Sequence, residues 1–125
     1  MKISDQSGSI EVIPNTGDYV TVRLSSTLLS AETRDSIDDD ELNWFHTEIQ
    51  KYNGNPPKEI GFKTSFEDIV ISVEPIPEGR VILSANLISP NNAPFWCATL
   101  SLEVTPQSAA DFIAQLHTTL IAKKA

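Results

Sequence analysis

The sequence predicts an α+β domain of two layers: an antiparallel sheet of six or seven strands, with two helices on one face. Three observations predict it. Val81, Leu83, Ala85 and Leu87 alternate with Arg80, Ile82, Ser84 and Asn86. After the break Pro90–Pro94, Trp96, Ala98, Leu100, Leu102 and Val104 alternate with Cys97, Thr99, Ser101 and Glu103. Period-two alternation sends one set to each face of a sheet. Behind Thr105-Pro106 the period becomes helical, with Ala109, Phe112, Ile113, Leu116 and Leu120 on one stripe that can lie back on the hairpin.

Taken in order, the chain opens with a short strand, Ser9 to Pro14, in which Ile10 and Val12 share a face. Asn15-Thr16-Gly17-Asp18 is turn chemistry, since glycine reaches positive φ freely and Asn or Asp can bond its own backbone. Tyr19 to Leu24 completes a hairpin, with Val20, Val22 and Leu24 inward. A third strand is expected over Thr27 to Thr33, where Leu28-Leu29 interrupts the alternation and predicts a bulge or bend.

The first helix has the clearest start. Asp38 is the expected N-cap and Glu41 stands at capping-box spacing, while Ile37 and Leu42 form the matching hydrophobic staple. The acids Asp38 to Glu41 sit where the helix dipole favours negative charge. Leu42, Phe45, Ile49 and Tyr52 mark the buried stripe, Gly54 is the expected left-handed stop, and Pro56-Pro57 forbids resumption. Lys58 to Thr64 and Asp68 to Glu74 then form a hairpin around Ser65-Phe66-Glu67. Four successive strands on short links imply an antiparallel meander rather than a doubly wound sheet. Thr105 caps the last helix, with Pro106 at its first position and Lys123-Lys124 suiting its C-terminal end. The expected order is βββ-α-ββββ-α, in a single domain over residues 1–125 with no internal sequence repeat. Trp96, Leu83, Leu100, Leu102, Phe112, Leu116, Phe45 and Ile49 should share its core.

Composition sets bounds on function. The apolar fraction of 40% and charged fraction of 21% belong to a globular chain. A formal net charge of −8 opposes nucleic acid or an anionic membrane as partner and suits a basic protein. Cys97 is the sole cysteine, which excludes an internal disulfide. The N-terminus shows no secretory apolar region and no run approaches membrane-spanning length, so a cytoplasmic location is expected.

No catalytic motif emerges. Asp35, Asp38, Asp39 and Asp40 invite a calcium loop, yet Leu42 and Trp44 fall on ligand positions and the central glycine is missing. His46, His117 and Cys97 lack the paired spacing of a zinc site. Cys97 lies on a strand with nothing in sequence to lower its pKa, and no serine stands in a nucleophile elbow. No metal, cofactor or catalytic residue is expected.

What remains is the sheet face that two helices leave uncovered. Cys97, Thr99, Ser101, Glu103, Ile82, Ser84, Asn86, Ser72, Glu74, Lys63, Thr21 and Arg23 are expected there together. Its aliphatics, Val70, Ile82 and Ile88, suit a protein-binding surface or a homodimer contact, while an ordinary solvated face is the bland alternative. The expected contact centre is Glu74, Asn86, Thr99, Ser101 and Glu103, in which the two carboxylates, Glu74 and Glu103, have no obvious basic partner nearby in sequence. The acidic helix start from Asp38 to Glu41 is a second choice.

Several segments carry a family likeness. These are Asp18-Tyr19-Val20 with Val22, Glu41-Leu42 with Phe45, and Glu67 with Ile69, Ile71 and Val73. Gly79 with Val81, Leu83, Ala85 and Leu87 continues it, and Leu100, Leu102 and Glu103 before the helix containing Gln115-Leu116 close it. Over nearly the full length this pattern resembles the small bacterial WapI-type immunity proteins and their uncharacterised relatives. Ser89 and Thr105 depart from it, standing where acidic residues are expected. The resemblance implies a non-enzymatic bacterial protein that binds and neutralises a cognate toxin domain. The alternative is a self-associating structural or housekeeping domain with no toxin partner; a small-molecule-binding or enzymatic role comes third.

Overall fold

The structure, a computed structural model, describes residues 1–89 and 95–121. The expected break at Pro90–Pro94 and the pair Lys123-Lys124 lie outside those residues. Within them the strands are β1 (Lys2–Ser4), β2 (Gly8–Pro14), β3 (Tyr19–Ser26) and β4 (Ser30–Ser36), followed by α1 (Asp39–Lys51). Then come β5 (Ile60–Lys63), β6 (Ile69–Ile76), β7 (Arg80–Ile88), β8 (Cys97–Val104) and α2 (Pro106–Leu120). The order ββββα therefore occurs twice, without any repeat of sequence.

The α+β class and the antiparallel pairing hold; the single sheet does not. In place of six or seven strands in one sheet there are two four-stranded sheets, β1-β2-β3-β4 and β5-β6-β7-β8. Two causes explain the difference. At three residues, β1 is too short to show a period, so the first group was undercounted. And β4 pairs only with β3, because α1 intervenes before β5 and carries the chain away from the free edge of β4.

The sheets are joined by a polar contact instead of a ladder. Asp35, 1% exposed near the end of β4, accepts from Thr64 Oγ1 at 2.5 Å, Phe66 N at 3.1 Å and Asp68 N at 3.2 Å in the β5–β6 turn. Its other oxygen accepts from Ser36 N at 2.7 Å. A buried carboxylate is tolerable only when its lone pairs are matched in this way. Asp35 is one of the four acids for which the sequence argues against a calcium loop.

One hydrophobic core fills the space between the inner faces. Ile10, Val12, Val20, Val22 and Leu24 come from the first sheet, and Ile71, Val73, Val81, Leu83 and Leu102 from the second. α2 touches β7 of one sheet and β1 and β2 of the other, and α1 packs on α2 and β5. Six of the eight expected core residues are buried, while Trp96 and Leu100 are partly buried against the same cluster. The register is as expected, since Ser101 is exposed. Leu100 is less covered than Leu102 on the same strand because it borders a crevice facing Leu29 and Ala31.

The helix ends follow the expected chemistry. Asp38 caps α1 by accepting from Asp40 N at 3.0 Å, and the staple residues Ile37 and Leu42 are buried. The left-handed stop begins one residue earlier than expected, at Asn53 (φ 54°), and Gly54 follows at φ 82°, where a Cβ would lie 2.0 Å from Pro106 O. The stop glycine thus also lets the start of α2 approach. Thr105 caps α2 by accepting from Ser108 N at 3.1 Å. The expected third strand begins later than predicted: Thr27 to Leu29 form the β3–β4 turn, closed by Ser26 N donating to Leu29 O at 2.8 Å.

Candidate protein-interaction face

With the alternating aliphatics of β6, β7 and β8 committed to the core, their other side chains form the outer face of the second sheet. Register turns that face into rows. Glu74, Ile82 and Glu103 make one row; Gly61, Ser72, Ser84 and Ser101 the next; Lys63, Val70, Asn86 and Thr99 a third; Ile88 and Cys97 a fourth. All five residues expected as the contact centre therefore stand on one face. Thr21 and Arg23 do not belong there: both lie on β3, on the outer face of the other sheet. The expectation of one displayed set failed with the expectation of one sheet.

Polar groups on this face bond to one another across strands. Ser84 Oγ and Ser101 Oγ are 2.8 Å apart, and Thr99 Oγ1 donates to Asn86 Oδ1 at 2.8 Å. Cross-strand hydroxyl pairs of this kind hold side chains in fixed rotamers. The middle of the face is thus a preordered neutral surface, with Val70, Ile82 and Ile88 half-buried among the hydroxyls.

Charge is confined to the margin. Glu103 has no basic neighbour in sequence, and long-range register brings Arg80 to it. The Arg80 Nε lies 3.2 Å from Glu103 Oε2 and its Nη2 donates to Glu103 O at 3.3 Å. The Nε contact is too poorly aligned for a hydrogen bond, so the attraction is Coulombic. Glu74, exposed, has no such partner among the described residues. Lys63 pairs with Glu67 at 3.3 Å.

The end of the face near Glu103 borders an open polar cleft of about 560 Å³, lined by Asp5, Ser7, Arg80, Glu103, Thr105 and Ser108 among others. Asp5 anchors it. Its carboxylate accepts from Ser7 N at 2.6 Å and Gly8 N at 3.2 Å in the β1–β2 turn, and from Glu103 N at 2.9 Å on β8. Burial pushes its pKa up, but the amides of Glu103, Ser7 and Gly8 together hold it below the ordinary value. At the β5–β6 turn the balance is reversed: burial and the neighbouring Asp35 carboxylate both raise the Asp68 pKa.

On the inner side of β8, toward its start, the surface is apolar. Leu24, Leu29 and Ala31 of the β3–β4 hairpin face Ala98 and Leu100 of β8 across a crevice of about 100 Å³. Leu28, Leu29 and Phe95 are 89%, 78% and 68% exposed. These apolar side chains were absent from the expected contact centre, although the Leu28-Leu29 break in alternation was a visible sign.

Among the described residues no three His, Cys, Asp or Glu side chains gather as a metal site. His46 and His117, far apart in sequence, do meet: their rings stack at 4.1 Å between α1 and α2, and His117 Nε2 lies 2.7 Å from Asn43 Oδ1. Burial, and then the charge on His117, lower the His46 pKa. Cys97 is exposed. No helix among the described residues is long and apolar enough to cross a membrane.

No family model matches the chain, and no curated protein does. A solved structure of the plant transcriptional regulator PBF-2 is similar at a TM-score of 0.48 and 14% identity, covering 99% of this chain and 82% of that one. At those values the likeness carries no argument about function.

Proposed function

We propose that this chain is a non-enzymatic protein-binding domain whose contact surface is centred on the outer face of the second sheet. The observation that supports this is the finish of that face: neutral hydroxyl and amide groups already bonded to each other, with aliphatics between them and acids only at the rim. Binding there displaces loosely held water and leaves few polar groups unmatched, as the core of a protein interface requires. The resemblance to WapI-type immunity proteins makes a cognate toxin domain the proposed partner, neutralised by masking. The net charge of −8 would speed encounter with a basic partner, an effect that weakens as salt rises.

The test is to look for a toxin domain encoded next to this gene and titrate the chain against it, at low and high salt. Glu74→Lys is expected to slow association by about ten-fold or less at low salt, within the range of steering effects, and to leave the melting temperature unchanged. No binding to that domain, or binding indifferent to Glu74→Lys and to Ser84→Arg in the centre of the face, would reject the proposal.

A further inference from the structure

Each sheet has two edges, and an open edge is a template for another strand unless it is blunted. Three of the four are blunted. β1 has three residues, β5 has four and lies against α1, and β4 carries Glu32 and Arg34 along its length. β8 is different. It is eight residues long and uncharged from Cys97 to Leu102.

The register shows which backbone groups of β8 point outward. Glu103 N bonds to Asp5, not to β7, so Glu103 occupies a non-hydrogen-bonded position opposite Ile82. Strand geometry repeats every two residues, so the amides and carbonyls of Cys97, Thr99 and Ser101 also face away from β7. No described backbone or side-chain group bonds to them. Asp5 closes the edge at Glu103 and leaves it open upstream.

The surroundings of the edge are polarised. Beside the start of β8, the crevice between Leu29, Ala31 and Leu100 holds about 100 Å³, roughly three times the volume share of a water molecule and enough for a small aliphatic side chain. Beside its end stand the carboxylates of Asp5 and Glu103, with the guanidinium of Arg80 paired to Glu103. An added strand pairs best in the antiparallel sense. Its N-terminal part would then lie by the acids and its later residues by the crevice.

We infer that β8 accepts an extended segment of a partner polypeptide along its edge from Cys97 to Ser101, antiparallel, with a cationic residue first and small aliphatics at alternate positions after it. This rests on the protein-binding reading and deepens it. The outer face alone spans roughly 15 by 27 Å by strand spacing and rise, about half of the ~800 Å² that one side of a standard interface buries. Strand addition supplies main-chain hydrogen bonds as well as area.

Three synthetic octapeptides test it. One has two lysines followed by alternating valine and threonine; one carries the lysines at the other end; one is the first with alternate amides N-methylated. The lysine-first peptide is expected to shift and slow exchange of the Cys97, Thr99 and Ser101 amides. The lysine-last peptide should bind about two- to five-fold more weakly, the scale of exposed ion pairs, and the methylated peptide should not bind. Thr99→Pro should abolish binding, because proline is tolerated where the strand N–H faces outward yet cannot donate. The methylated peptide carries the test if that variant misfolds.

Shifts confined to Ser72, Ser84 and Asn86, untouched by methylation, would overturn the edge and leave the wider reading standing. Absence of binding by all three peptides would also overturn the edge, while titration with the toxin domain decides the wider reading separately. A dimer that forms without peptide and is lost in Thr99→Pro would replace the proposed partner with a second copy.

Discussion

The outer faces of the two sheets share one ladder geometry and differ in chemistry. On the first sheet, register aligns Lys2, Glu11, Arg23 and Glu32 in a row across all four strands, with charges alternating in sign. Arg23 reaches both acids, at 3.4 Å to Glu11 and 3.3 Å to Glu32. Arg34 lies over the Tyr19 ring, 5.5 Å from its centroid. On the second sheet the comparable row is Gly61, Ser72, Ser84 and Ser101. Charged groups hold water tightly and resist burial, whereas hydroxyls bonded to each other give it up more readily. The first face is therefore finished as a solvated surface and the second as one that can be covered. Net charge alone would not have separated them.

The comparison requires that both faces belong to one cooperative unit, and the largest expected effect tests that. Asp35→Ala removes the acceptor of three contacts to the β5–β6 turn and one to its own strand. Leaving buried donors unmatched should cost about 3–5 kcal/mol by analogy with broken buried polar pairs. Urea unfolding followed by tryptophan fluorescence and by far-ultraviolet dichroism should still give one shared transition at a lower midpoint. Two separate transitions would mean that the sheets are separable and that each face must be judged alone.

A second effect sets the helices beside the sheets. The His46 pKa lies below its ordinary value near 6.5, because burial and the stacked His117 disfavour its charge. The unfolded chain therefore takes up the proton first, and stability present above about pH 6.5 is lost as pH falls through that value. Replacing His46 with Gln should flatten the stability profile between about pH 7 and 5. Glu74→Lys, on the uncovered face, should leave its shape unchanged. A profile that His46→Gln does not alter would remove the helix pair as the acid-sensitive element.

The sequence made some of this legible and hid the rest for physical reasons. The caps Asp38 and Thr105, the left-handed stop at Asn53-Gly54 to within one residue, and the inward sets of β7 and β8 were readable because each is a local preference that the structure obeys. The five expected face residues were readable for the same reason, since alternation places them whatever the sheet's partners are. The division into two sheets was not, because nothing local in β4 says that its far edge meets a turn through Asp35 rather than a strand. Pairings such as Arg80 with Glu103, and the stack of His46 on His117, depend on long-range register. A one-dimensional pattern carries no signal for either.

The smallest effect bears directly on the two faces. Arg23→Ala breaks two ion pairs on the first face, and exposed pairs of this kind contribute about 0.2–1 kcal/mol each. Ser84→Ala breaks one hydroxyl contact on the second, and substitutions at such exposed positions stay within about 0.5 kcal/mol. At low ionic strength Arg23→Ala should therefore lower the melting temperature measurably more than Ser84→Ala. Raising salt toward 1 M shortens the screening length to about 3 Å and should shrink the Arg23 effect while leaving the Ser84 effect in place. That salt response distinguishes a face stabilised by charge from one held by neutral contacts. Equal responses at both positions would show that the difference in composition has no energetic counterpart, and the choice of the second face as the binding surface would lose its physical basis.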